Sequence, residues 1–246
     1  ANSRKKMIDK LNIEDIKPSS RRYPALIFEQ EREAGDQILN IENLSYSIGD
    51  SVLFSNINLN LAKGDKLIVY SKDSRAVTAF YEIVNGKFVP EQGKVEWGVT
   101  TNNAYLPLDH DSYFENNFSL VDWLRQFAKT EEEREEVFIR GFLGKMLFSG
   151  EEALKTCNVL SGGEKVRCML SKMMMERANV LLFDEPTNHL DLESITGLNN
   201  ALNNYKGTLI CSTSDHAFSQ SLCTRILELT PKGAIDRLTS FDDYMS

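Results

Sequence analysis

Apolar and polar residues alternate from Ile38 to Leu44 and again from Asn56 to Leu61, the period-two pattern of half-buried strands. Lys66 to Tyr70 is a short apolar run behind the turn pair Gly64-Asp65 and reads as a third strand. Residues 76 to 84 take a helical period, and Lys94 to Trp97 and Asn103 to Leu106 read as further short strands. From Ser119 to Met175 the pattern is helical, with Leu120, Val121, Leu124 and Phe127 at i, i+1, i+4 and i+7. Within it, the acidic run Glu131 to Glu136 is expected on a solvated face. Strands return at Val180 to Phe183 and at Thr208 to Ser212. Strands, then a helical block, then strands alternating with helices predict an α/β core with an inserted helical subdomain, at about residues 112–175. The chain up to Gln37 is polar, contains Pro18 and Pro24, and has periodicity only from Met7 to Ile16. It reads as a helix end followed by an extended linker.

Composition adds limits to this picture. With 246 residues, 41% apolar and 26% charged, the chain matches one large globular domain with a substantial core. Apolar runs such as Val180–Phe183 stop well short of the ~18 residues a membrane span needs. The basic start of the chain has no apolar run behind it, so a cytoplasmic location is expected. Cys157, Cys168, Cys211 and Cys223 form no C-x-x-C pair, and His110 and His189 stand at no metal spacing. The cysteines read as small apolar residues. Net charge is −8, yet residues 1–22 carry a local surplus of +4, either a solubilising end or a basic arm for RNA.

Two segments carry chemistry. Leu160-Ser161-Gly162-Gly163-Glu164 precedes a helix expected from Lys165 to Met175, with Ser161 as candidate N-cap. Two glycines at a helix start let a ligand approach the backbone, where unpaired N–H groups and the helix dipole favour an anion. Alone, such a turn is most often an ordinary cap. Its context is Leu181-Leu182-Phe183-Asp184-Glu185-Pro186-Thr187-Asn188-His189-Leu190-Asp191, an apolar strand that delivers two adjacent carboxylates at its C-terminal end. Ligands of open α/β sheets bind at that end. An Asp there is suited to Mg²⁺, and a neighbouring Glu to polarising water for phosphoryl transfer.

These motifs resemble the ATP-binding-cassette (ABC) superfamily, with Ser161-Gly162-Gly163 as its signature and Asp184-Glu185 ending its Walker B strand. Leu-Ser-Gly-Gly-Glu-Lys with Asp-Glu-Pro-Thr-Asn-His-Leu-Asp is similar, more narrowly, to the ABC-F family. The resemblance implies a P-loop NTPase-like core sheet with helices, an antiparallel β subdomain and an inserted helical subdomain. It also implies two such domains on one polypeptide, joined by a linker that reaches into the ribosome. Lys17-Pro18-Ser19-Ser20-Arg21-Arg22-Tyr23-Pro24 followed by Phe28-Glu29 is similar to the end of that linker. Residues 1–37 are therefore expected as linker end and 38–246 as the second ABC domain.

Departures from the family pattern cluster at one place. The phosphate loop G-x-x-x-x-G-K-[ST] falls on Ser71-Lys72-Asp73-Ser74-Arg75-Ala76-Val77-Thr78, where every glycine is gone and Val77 replaces the lysine. The lost lysine alone removes a charge-assisted contact of ~1.5–3 kcal/mol. Thr78 keeps the Mg²⁺-side hydroxyl, and Lys72 or Arg75 offers a substitute charge, although exposed loop cations are the commoner reading. The adenine-stacking aromatic falls at Ile48, with Tyr46 on the same strand face as a substitute. Leu108 replaces the Gln that senses Mg²⁺, and Ser214 replaces the switch histidine, with His216 displaced to the surface.

In this family ATP is sandwiched head to tail, the signature of one domain closing over the phosphate loop of the other. The resemblance thus implies that Ser161, Gly162 and Gly163 serve ATP held by a first ABC domain, while this domain's own ATP and Mg²⁺ binding, through Thr78, Asp184 and Glu185, is weak or lost. Expected partners are that first domain and, through the linker, the ribosome with tRNA or rRNA, and no membrane. Pairing of two copies of this chain stays open. So do two other readings: a transporter's ATP-binding subunit, and a non-hydrolysing scaffold.

Overall fold

The computed structural model describes residues 22–239 and 241–246. The helix end expected at Met7–Ile16 and most of the basic arm lie outside these residues. Strands β1 (Gln37–Ile48) and β2 (Ser51–Ala62) form a long antiparallel hairpin, and β4 (Gln92–Trp97) pairs with the other edge of β1. β1 and β2 are longer than their alternation suggests. Asn43 and Asn56 take positive φ (49° and 50°), and the β1–β2 register shifts between Ile41 and Leu44, so the inward face changes partway along each strand.

A second sheet of six strands runs β5-β6-β7-β3-β8-β9, from β3 (Lys66–Tyr70), β5 (Asn103–Leu106), β6 (Val180–Asp184), β7 (Thr208–Ser212), β8 (Arg225–Thr230) and β9 (Gly233–Arg237). All neighbours are parallel except β8 and β9. β6 and β7 are buried along their whole length, which is why they read as unbroken apolar runs. Helix α1 (Ser74–Val84) follows β3 and closes a core with the antiparallel sheet through Phe80, Tyr81 and Ile83.

The expected helical block is several pieces: α2 (Leu120–Arg125), α3 (Glu131–Arg134), α4 (Glu136–Lys145), two 3-10 turns (Gly150–Leu154 and Cys157–Val159) and α5 (Gly162–Glu176). Local chemistry sets the breaks. Thr130 caps α3, Glu135 is extended between α3 and α4, and Leu147 and Gly150 take positive φ after α4. The acidic run occupies exposed α3 and the start of α4. The pieces hold together around Trp123, which stacks on Phe114 at 4.9 Å between ring centroids and meets Phe127 edge-on. Two further helices, α6 (Leu192–Asn204) and α7 (His216–Leu222), flank β7, and α8 (Phe241–Met245) follows the last strand.

The segment expected as linker up to residue 37 joins the domain earlier than that. Leu26 and Phe28 are buried in the main core, and the Phe28 ring meets Phe183 and Tyr205 edge-on at 6.1 and 6.4 Å. The Ala25 N–H donates to the Lys145 carbonyl at 2.8 Å and the Glu31 N–H to the Arg177 carbonyl at 2.9 Å. Pro24 packs so tightly on α6 that a Cβ at Gly197 would lie 2.9 Å from its ring. In sequence this strap lacks period and carries Pro24, so it reads as linker although alternate side chains enter the core.

Candidate nucleotide-contacting faces

The C-terminal ends of β3, β6 and β7 meet at a cleft lined by Ser71, Ser74, Val77, Thr78, Leu108, Asp184, Glu185 and Ser214, together with Ser212 and Thr213. Thus the structure gathers much of the expected own-site set. Lys72, Asp73, Arg75 and Ala76 of the phosphate-loop segment are not in that lining. Neither is Tyr46, whose ring stacks on Phe88 at 5.9 Å and packs against Phe54 at 6.3 Å.

The acidic pair is engaged inside the protein. Asp184 is buried, accepting the Ser212 hydroxyl at 3.2 Å and the Thr78 hydroxyl at 3.4 Å. Burial, with Glu185 adding repulsion, pushes its carboxyl up to about 6. Glu185, at φ 52°, accepts both the backbone N–H (3.0 Å) and the hydroxyl (3.3 Å) of Ser214. Ser214, read from sequence as a lost histidine, therefore holds the neighbouring carboxylate. Ser212 and Tyr81, whose hydroxyl donates to the Phe183 carbonyl at 2.7 Å, were not singled out in sequence. The signal for Ser212 was weak but present: it ends an apolar strand in register with Asp184.

Between β3 and α1 only Ser71, Lys72 and Asp73 remain as loop. Helix α1 starts at Ser74 rather than 76 because Asp73 caps it: its carboxylate accepts the Arg75 N–H at 3.0 Å. The Arg75 guanidinium closes on the same carboxylate at 2.8 and 3.1 Å and holds it below the usual carboxylate range. The Asp73 N–H donates to the Ser71 hydroxyl at 3.1 Å. Val77 packs in the core with Phe80 and Tyr81.

A magnesium nucleotide is the group this position implies, and the residues do not fit it. The cleft measures about 150 Å³, against roughly 300 Å³ or more for small-molecule sites. Among the described residues that line it, none is Lys or Arg, while two are carboxylates. A triphosphate there would have only its own Mg²⁺ to offset the two carboxylates, with no lysine or arginine of the lining to meet its remaining charge.

The signature turn lies on a separate face. Ser161 is exposed and forms a reciprocal cap, accepting the Glu164 N–H at 3.2 Å while the Glu164 carboxylate accepts the Ser161 N–H at 3.2 Å. This box draws both glycines into the helix, so α5 begins at Gly162 rather than Lys165. The N–H groups of Gly162 and Gly163, in the first turn of a 15-residue helix, are not among the donors the box uses. They stand where the helix dipole favours an anion. His189, at φ 65° after the acidic strand, lies against both glycines, and a hollow of about 360 Å³ opens beside them between Arg167, His189 and Asp191.

His110 is buried with its Nδ1 3.3 Å from the Pro107 carbonyl, and His216 is exposed at the start of α7. Cys157, Cys168 and Cys211 are buried free thiols and Cys223 is half-buried. Among the described residues no helix is long and apolar enough to cross a membrane.

Known proteins agree with this architecture. A family model described as ABC transporter matches residues 54–188. Among curated relatives, the uncharacterized ABC transporter ATP-binding protein YkpA of Bacillus subtilis (strain 168) is 48% identical over all of this chain and 45% of its own length. ABC transporter F family member 5 of Arabidopsis thaliana is 28% identical over 100% of this chain and 35% of its own length. The energy-dependent translational throttle protein EttA of Escherichia coli (strain K12) is 27% identical over 85% of this chain and 39% of its own length. The chain spans less than half the length of each of these relatives. A solved ATP-binding cassette, dimeric in a post-hydrolysis state with ADP and Pi, superposes with TM-score 0.64 at 17% identity, covering 83% of this chain and 100% of that one, a likeness of fold. With the family match running over more than half of its residues, the chain belongs to the ABC transporter family and is an ABC ATP-binding domain.

Proposed function

We propose that this chain is the second ABC domain of a soluble, cytoplasmic ABC-F protein, in which it completes an ATP site held by a first domain while its own site is degenerate, with weak or absent nucleotide binding. The single observation that carries this reading is the contrast between its two faces: an open signature turn at Ser161, Gly162 and Gly163, and an own-site cleft closed by internal hydrogen bonds. Ser161, Gly162 and Gly163 then approach the terminal phosphate of the partner's ATP. The Gly162 and Gly163 N–H groups and the Ser161 hydroxyl supply donors, and the α5 dipole supplies partial positive charge. Asp184 and Glu185 serve chiefly the fold, since both are engaged by Ser and Thr hydroxyls. Hydrolysis by the full-length protein takes place at the first domain's site, with this domain's turnover weak or absent.

The span of less than half of each relative supports a missing first domain. Relatives named as an F family member and as a translational throttle support action in translation, which the family resemblance assigns to the ribosome, with the residues before the Pro24–Phe28 strap as the end of the interdomain linker. Co-sedimentation of the two-domain parent with ribosomes, with ATP and with a slowly hydrolysed analogue, tests this. Nucleotide-dependent association that disappears on Ser161→Asp is the expected result, and association indifferent to nucleotide sinks the reading.

A further inference from the structure

In a phosphate-binding loop the first turn of the following helix is left uncapped by side chains, because the bound phosphate itself accepts those N–H groups. Here that turn has a resident anion. The Asp73 carboxylate takes the Arg75 N–H at 3.0 Å, and the Ala76 N–H, next along the helix, donates to the Asp73 carbonyl at 3.0 Å. Asp73 is fixed from outside as well. The Arg75 guanidinium grips both of its oxygens, and the Ser71 hydroxyl accepts the Asp73 N–H. One aspartate therefore binds two first-turn donors, the Arg75 N–H on its carboxylate and the Ala76 N–H on its carbonyl, and pairs with the Arg75 cation.

We infer that Asp73 is a built-in phosphate surrogate: it occupies the anion position of α1 and locks the own-site loop in a closed, nucleotide-excluding form. The inference rests on the proposed loss of the own site and names the residue that enforces it. The absence of lysine at Val77 is then a secondary defect. A lysine introduced there still meets a helix start whose Arg75 and Ala76 N–H groups are already bound by Asp73. Only with Asp73 removed do the α1 donors and a new cation converge on an external phosphate.

Tripolyphosphate binding to this chain, followed by calorimetry, reads the lock directly, because it needs neither adenine nor hydrolysis. The chain itself and Val77→Lys are expected to show no saturable binding at millimolar ligand. Asp73→Gly gains measurable binding, and Asp73→Gly with Val77→Lys binds at least tenfold more tightly than Asp73→Gly alone. Asp73→Asn, which keeps the helix cap but not the charge, lies between and guards against a Gly variant that folds poorly. Tripolyphosphate binding by the unaltered chain, or a tenfold gain from Val77→Lys with Asp73 in place, overturns the inference. The wider reading fails separately. If Ser161→Asp in the two-domain parent leaves ATP binding untouched, the signature role is lost whatever the tripolyphosphate result.

Discussion

Gly163 lies directly beneath the backbone carbonyl of His189: a Cβ on Gly163 would stand 2.5 Å from that oxygen. A Cβ on the neighbouring Gly162 would meet the His189 side chain instead, 3.0 Å from its Cγ. The two signature glycines are thus held to different standards, one by main chain and one by a side chain able to turn away. Gly163→Ala is expected to destabilise this chain by about 1–3 kcal/mol, the usual cost of overpacking, and Gly162→Ala by less than about 1 kcal/mol. Urea denaturation of the two variants checks this. Equal losses contradict the proposed role of His189.

Ser161 has a structural duty separable from any ligand. Its hydroxyl is one half of a capping box, so Ser161→Ala should cost about 1 kcal/mol of stability. Ser161→Asp keeps a competent cap and should be nearly neutral in stability, yet it places a negative charge where a partner's phosphate arrives. Stability measured on this chain and ATP affinity measured on the two-domain parent therefore move apart for Asp and together for Ala.

Asp184 gives the domain a pH dependence of known sign. Its folded-state pKa of about 6 lies above its ordinary value of 3.8, so the folded chain binds the extra proton between those limits. Stability contributed by this group falls as pH rises from about 4 to 6 and stays low above. Two units correspond to roughly 3 kcal/mol as an upper bound. Asp184→Asn should accordingly raise stability at pH 7.5, by about 1–3 kcal/mol, and flatten the pH profile between 4 and 6. Thermal denaturation across that range checks it. A variant less stable at pH 7.5 than at pH 4 relative to the unaltered chain contradicts the burial argument.

The strap before β1 belongs energetically to the domain. Phe28→Ala removes a buried ring set against Phe183 and Tyr205 and should cost about 3–5 kcal/mol. Removing the chain up to residue 37 should cost at least as much. Chemical denaturation of the two variants decides whether the strap stabilises the domain.

Much of the architecture was legible in the chain because buried parallel strands and amphipathic helices write plain patterns. Val180–Phe183 and Thr208–Ser212 were read within a residue of β6 and β7. The motifs at Ser161 and Asp184 were legible as a pair, because a glycine turn that alone is most often an ordinary cap gains meaning beside an apolar strand ending in two carboxylates. Less visible were features that depend on contacts remote in sequence. Ser214 read as a missing histidine, and only the fold brings its N–H and hydroxyl to Glu185, 29 residues away. Asp73 drew no separate reading within the phosphate-loop segment, because a cap is visible only once the helix start is known. The bulges at Asn43 and Asn56 hid half of β1 and β2, since an inserted residue reverses the alternation that marks a strand.

Nucleotide stoichiometry of the two-domain parent tests the central claim most directly. Equilibrium binding of a slowly hydrolysed ATP analogue should saturate at one nucleotide per parent molecule, and Ser161→Asp in this domain should abolish that single site. Two nucleotides per molecule, or one that survives Ser161→Asp and is lost on Thr78→Ala, would show that this domain keeps a working site of its own.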